Sequence, residues 1–185
     1  MGIEFAQPRR FAAGPVPTDV GYQAWTFDLG SEAIIGRVLV SQTVVASRVY
    51  IPASFTCSRI HFGVVVAATS LTYARLAIYD EAGTTQLGLS DSLTTPFASV
   101  GIKDGTLGTP VALAGGPGRF VYAAVLTDGG TPPQGACCHQ LGGGTATMVN
   151  TGFSPARIGT QAGQAALPAS LSLTAFNSPY WFALS

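Results

Sequence analysis

Two histidines, three cysteines and nine acidic side chains are all that 185 residues offer for proton transfer, metal binding or nucleophilic attack. The densest cluster is Cys137-Cys138-His139. Zinc needs ligands that converge tetrahedrally, commonly from cysteines spaced C-x₂₋₄-C, and adjacent cysteines project apart. Cys57 and His61 are the other donors. Four residues is two strand periods, so a regular strand would put both on one face, where they could join the 137–139 loop. Against that site stands the reading of small packed thiols and a loop histidine, which is preferred. No metal and no cofactor are expected.

Nucleophilic catalysis needs a serine or cysteine beside a histidine oriented by a carboxylate, and no G-x-S-x-G is present. A glycosidase needs two facing carboxylates. Asp80, Asp91, Asp104 and Asp128 all lie in or beside turn-like sequence, where the short side chain bonds local backbone, so turn roles are expected for them. The glycine runs at 115–118, 129–130 and 142–144 lack the lysine and following helix of a phosphate loop. The chain is therefore expected to be no enzyme. Tyr22, Trp25 and Phe27 could stack on a sugar or a base, but core or interface is the usual place for such residues. Tyr180-Trp181-Phe182 invites the same reading, as a last strand alternating between core and interface.

The elements around these residues are written mainly in period two. Ile60, Phe62, Val64 and Val66 fall on one face and Arg59 and His61 on the other, as in a half-buried strand. In LTYARLAIYDEAGTTQLGLSD, Leu76 and Ile78 share one face and Tyr73, Arg75 and Tyr79 the other, which suits a mid-sheet strand with a partly covered outer face. Asp80-Glu81-Ala82-Gly83 then reverses the chain into Thr85–Leu89, predicting a hairpin. Residues 119–127 form another strand, framed by Gly115-Gly116-Pro117-Gly118 and by Gly129-Gly130-Thr131-Pro132-Pro133. Its Phe120, Tyr122 and Leu126 are expected in one core with Ile60, Phe62, Val64, Leu76 and Ile78. Further strands are expected near 34–40, 43–51, 107–113, 145–150, 170–176 and 180–184, and long loops around 128–170. No window of helical length shows a 3.6 period with caps. The fold class is all-β: a jelly-roll-like antiparallel β-sandwich over 33–185.

Only 10% of the residues are charged, against roughly 25% in ordinary domains, and 47% are apolar. Nine basic and nine acidic groups cancel, so no long-range field gathers nucleic acid or an anionic membrane, and neither is expected as a partner. The basic groups are eight arginines and Lys103 alone. Interfaces favour that balance, and so does coding bias. No run approaches the ~18 apolar residues of a membrane span. MGIEFAQPRRF lacks the apolar stretch of a secretory signal, and Ala6 stands where a myristoylation motif wants Ser or Thr. Synthesis in a cytoplasm is expected.

Residues 1–32 have no sustained period but hold prolines, aromatics and two adjacent arginines. A free tail is polar and poor in aromatics. This stretch is read as an extended N-terminal arm lying on its own domain or on a neighbour. Phe5, Arg9, Arg10, Phe11, Tyr22, Trp25 and Phe27 are its candidate partner-binding residues, matching the aromatic and arginine enrichment of interfaces.

From about residue 36 to 127, GRVLVSQTVVASRVYIPASFTCSRIHFGVV, LTYARLAIYDEAGTTQLGLSD and GTPVALAGGPGRFVYAAVLTDGG follow in an order that resembles the minor-tail or tail-fibre β-sandwich proteins of tailed bacteriophages of actinobacteria. Leu76–Gly83 matches that family's LAIYD-x-x-G segment, and Pro110–Tyr122 its P-V-x-L-x-x-G-x-x-Y segment. The resemblance spans about half the chain, through loose sandwich patterns, and the long repetitive shafts common in such fibres are missing here. It implies a non-enzymatic virion surface protein, a tail or fibre component. Its partners would be other virion proteins, copies of itself (a homo-oligomer, expected as a trimer) and a host cell-surface glycan. A capsid decoration protein and a stand-alone glycan-binding module are the alternatives.

Overall fold

The computed structural model describes residues 16–27, 29, 34–138 and 156–185. Two antiparallel sheets pack face to face, so the protein is an all-β sandwich. Twelve strands lie among the described residues: β1 (Ala24–Trp25), β2 (Ile34–Val38), β3 (Val44–Tyr50), β4 (Phe55–Val66), β5 (Thr69–Tyr79), β6 (Gln86–Leu89), β7 (Gly101–Leu113), β8 (Phe120–Thr131), β9 (Gln134–Cys138), β10 (Ile158–Gln161), β11 (Thr174–Ala175) and β12 (Phe182–Leu184). Sheet A runs β1-β12-β4-β9-β2, with β7 also on β4; sheet B runs β11-β10-β3-β8-β5-β6. Two short 3₁₀ turns, Pro17–Val20 and Pro96–Ala98, complete the described elements.

The alternation in β4 does what its pattern predicts. Ile60, Phe62 and Val64 point between the sheets, where they meet Leu76 and Ile78 of β5 and Val45 and Val49 of β3. Phe62 is fully buried and its ring lies near Phe97, Tyr180 and Phe182. Gly135 of β9 makes room for it, since a Cβ there would sit 2.5 Å from the Phe62 ring and 2.7 Å from that of Tyr180. The β5–β6 hairpin is formed as expected, with Ala77 opposite Leu89. Its turn is closed by Asp80, whose carboxylate accepts from the Thr84 and Thr85 amides, and by Gly83 at φ +71°.

β8 corrects one expectation. Val121, Ala123 and Val125 face the inter-sheet core, whereas Tyr122 and Leu126 belong to a second apolar layer on the outside of sheet B, with Val44, Ala77 and Tyr79. Phe120 joins neither group of buried residues. That outer layer is covered by residues 162–173. Leu167, Leu171 and Leu173 pack on it, the Tyr79 hydroxyl donates to the Pro168 carbonyl at 2.7 Å, and the Leu167 amide donates to the Tyr73 hydroxyl. Both faces of β8 are apolar because both are covered, so alternation alone does not say which one looks inward.

Strand limits differ from the sequence pattern mainly where residues are small or polar. β7 begins at Gly101 rather than 107, and β9 and β10 lie within the stretch expected as loop. Gly135, Ala136 and Cys137 build a strand because the ladder is backbone and their bulky neighbours fill the space above them. Near 170–176 only Thr174–Ala175 form a strand, and near 180–184 Phe182–Leu184 do, with Tyr180 making a single bridge to Cys137. The strand expected at 145–150 lies outside the described residues.

Candidate interaction face on sheet A

The outer face of sheet A collects the side chains with the greatest potential for recognition or chemistry. Strand pairing sets the rows. His61 of β4 stands opposite Asp104 of β7 on one side and Ala183 of β12 on the other. Ser185 follows one residue past β12 and continues its pairing, its amide donating to the Arg59 carbonyl and its own carbonyl accepting from the Ser58 and Arg59 amides. The result is a hydrogen-bonded row: Asp104 Oδ1 lies 2.7 Å from His61 Nδ1, and His61 Nε2 lies 2.8 Å from Ser185 Oγ. His61 is 6% exposed. Tyr22 covers it, ring centroids 4.8 Å apart, and burial together with the Asp104 charge pushes the Tyr22 phenol upward.

This row corrects the turn role expected of Asp104, which sits within β7 and faces a histidine rather than local backbone. It also separates Cys57 from His61. The register of β4 against β7 shifts between Cys57 and Arg59, and the irregularity turns Cys57 into the inter-sheet core while His61 stays outside. Burial pushes the Cys57 and Cys137 thiols up to about 11, which holds them as weakly ligating, unreactive SH groups at neutral pH. Among the described residues no three of His, Cys, Asp and Glu come together as metal ligands. His139 lies outside the described residues.

A serine, a histidine and a carboxylate in hydrogen-bonded sequence are the parts of an activated nucleophile. Acyl transfer also needs donors aimed at a developing oxyanion. The Ser58 and Arg59 amides beside Ser185 are occupied by its own carbonyl. What the row does in this fold is brace three strands, fastening the end of β12 across β4 to β7.

Beside the row lies an aromatic patch. Trp181, which directly precedes β12, Ala183 of β12 and Ala136 of β9 are buried beneath Tyr22, Trp25, Phe27, Leu29 and Ile34. Residues 23–26 run along β12: the Gln23 amide donates to the Leu184 carbonyl, the Thr26 amide to that of Phe182, and the Thr26 hydroxyl accepts from the Phe182 amide. Tyr22, Trp25 and Phe27 thus pack on their own domain, each half-buried, with one side still open to solvent. Phe5, Arg9, Arg10 and Phe11 lie outside the described residues. Tyr180, Trp181 and Phe182 alternate as their sequence suggests, Tyr180 and Phe182 inward and Trp181 outward. The Trp181 indole N–H is buried without a hydrogen-bond partner, an unusual cost for a native site.

Past Trp181 the same face turns aliphatic and open. Val38 of β2, Gln134 of β9 and Val66 of β4 form one cross-strand row; Val65 lies by Gly36, and Ile102 of β7 stands opposite Gly63. Val38 is 53% exposed, Val65 41%, Val66 46% and Ile102 45%. Single exposed aliphatics are ordinary, but four gathered from three strands onto one sheet face form a patch of the kind that marks association. Sequence alone gives little warning of it: Ile102 lies ahead of the strand expected at 107–113, and Val66, expected in the inward row of Ile60, Phe62 and Val64, is exposed where the pairing of β4 with β9 shifts between Val64 and Val66. The chain matches no protein-family model and no curated protein.

Proposed function

We propose that this protein is a non-enzymatic structural component of a bacteriophage particle, of the minor-tail or fibre type, and that it assembles with copies of itself through the outer face of sheet A. The observation carrying the assembly reading is the open aliphatic patch of Val38, Val65, Val66 and Ile102, continuous with the half-buried aromatics around Trp181. A second copy is the favoured occupant. Equal numbers of basic and acidic groups leave no net repulsion between copies, and Asp104, two residues from Ile102 on β7, is already engaged by His61. The particle setting is supported by the resemblance of segments 36–127 to tail and fibre sandwiches. A head-decorating role uses the same surface and differs in location only.

Light scattering on the gel-filtered full chain tests this reading. A concentration-dependent mass of two or more chains is expected. A monomer throughout the micromolar range overturns self-assembly. Immunogold labelling of intact particles then distinguishes tail from head.

A further inference from the structure

At one end of the outer face of sheet B stands a group of side chains that assembly through sheet A does not use. Tyr50 and Phe120 form the last pair of the β3–β8 ladder, their ring centroids 5.5 Å apart and their planes tilted by 56°. Tyr50 is 43% exposed. Arg48, two residues earlier on the same face, holds its guanidinium 4.5 Å from the Phe120 ring centroid and 2.7 Å from Glu81 Oε1 in the β5–β6 turn. The Arg48 side chain is 12% exposed and that of Glu81 45%. Apolar rings therefore share one end of this face with a fixed pair of opposite charges, and the Glu81 side chain is 45% exposed.

The charge pattern selects the ligand. An anion meets the Glu81 carboxylate, and a cation meets a site whose negative group is already neutralised by Arg48. A neutral molecule with an apolar face and a rim of hydroxyls meets neither obstacle. A pyranose is such a molecule: its C–H face packs on an aromatic ring while its hydroxyls need rigid partners. We propose that Tyr50, Phe120 and Glu81 form a subsite for a neutral hexose residue of a glycan. The sugar stacks on Tyr50, with the Phe120 ring, tilted by 56°, walling one side, and a sugar hydroxyl donates to the exposed Glu81 carboxylate. Arg48 is a positioning residue that holds both Phe120 and Glu81 in place. Because the ladder and the ion pair preset these groups, little ordering is required on binding. One such subsite binds weakly, with Kd on the order of 1 mM. Useful retention on a glycan surface comes from several subsites in one assembly, and in that respect the inference rests on the self-association proposed above.

Affinity electrophoresis of the full chain through gels containing dextran, mannan or galactan tests the subsite, with melting and light scattering recorded on the same samples. Retardation by at least one polymer is expected. Tyr50→Ala weakens it about tenfold, Tyr50→Phe keeps it within about twofold because the ring is retained, and Glu81→Ala weakens it about threefold or more. Glu81 lies on an exposed turn, so its variant serves even if Tyr50→Ala fails to fold. Migration unaffected by all three polymers overturns the subsite, and so does equal retardation of the parent and Glu81→Ala. An oligomer that is not retarded refutes the subsite alone; a retarded monomer supports the subsite and refutes self-association alone.

Discussion

Replacing Ile102 with aspartate puts the proposed interface to its most direct test. Full burial of a valine or isoleucine side chain contributes about 1.5–3 kcal/mol. Val38, Val65, Val66 and Ile102 each still expose 41–53% of their surface. Covering the patch therefore recovers roughly half that amount at each position, or ~3–6 kcal/mol for one protomer's patch. Ile102→Asp forfeits about 1 kcal/mol of this and adds a carboxylate that must be dehydrated without a partner, an effective cost of several kcal/mol. The combined loss of at least ~3 kcal/mol weakens association more than about 100-fold. The position is open in the single chain and faces Gly63, so the domain itself keeps its fold and its melting temperature. The assay is light scattering across a dilution series, with Leu87→Asp as control: Leu87 is 38% exposed but lies on β6 of the other sheet. Should Ile102→Asp dissociate at the same concentration as the parent, the aliphatic patch is not the contact. Should Leu87→Asp dissociate equally, the effect is one of charge and not of place.

Leu76 is fully buried between the sheets, so Leu76→Ala costs ~2–5 kcal/mol and lowers the melting temperature of a domain this size by roughly 4–20 °C, read by circular dichroism; a parent-like melt contradicts the inward register of β5. Burial pushes the Tyr79 and Tyr122 phenols from 10.0 up to about 12. A neutral phenol favoured by the fold contributes stability that is complete below about pH 10 and is lost as pH rises toward 12. Melting temperature should thus fall over that window, with the phenolate absorbance of these residues appearing together with unfolding. Free, fully reversible titration of all tyrosines near pH 10 without loss of structure would refute their burial. The brace reading of Ser185, His61 and Asp104 predicts no covalent adduct with a fluorophosphonate probe and a lower melting temperature for Ser185→Ala; mass-spectrometric labelling at Ser185 would instead assign it as a nucleophile.

Alternation and turn chemistry were enough, from sequence, to indicate two-sided strands, the hairpin at Asp80–Gly83, the inward row of Ile60, Phe62 and Val64, and hence an all-β sandwich. These are local properties: side chains on a strand repeat every two residues, and a glycine at positive φ closes a turn wherever it is placed. Tertiary structure alone decided which face of β8 looks inward, because both are apolar and the choice depends on residues 162–173 covering Tyr122 and Leu126. It also decided that Cys57 and His61 part company, since a register shift in β4 is set by its pairing with β7. The row of Asp104, His61 and Ser185 spans 43 residues on one side of the histidine and 124 on the other, distances over which no spacing rule operates. Strand register brought these three groups within hydrogen-bonding reach, and the same register gathered Val38, Val65, Val66 and Ile102 from three strands onto one open face.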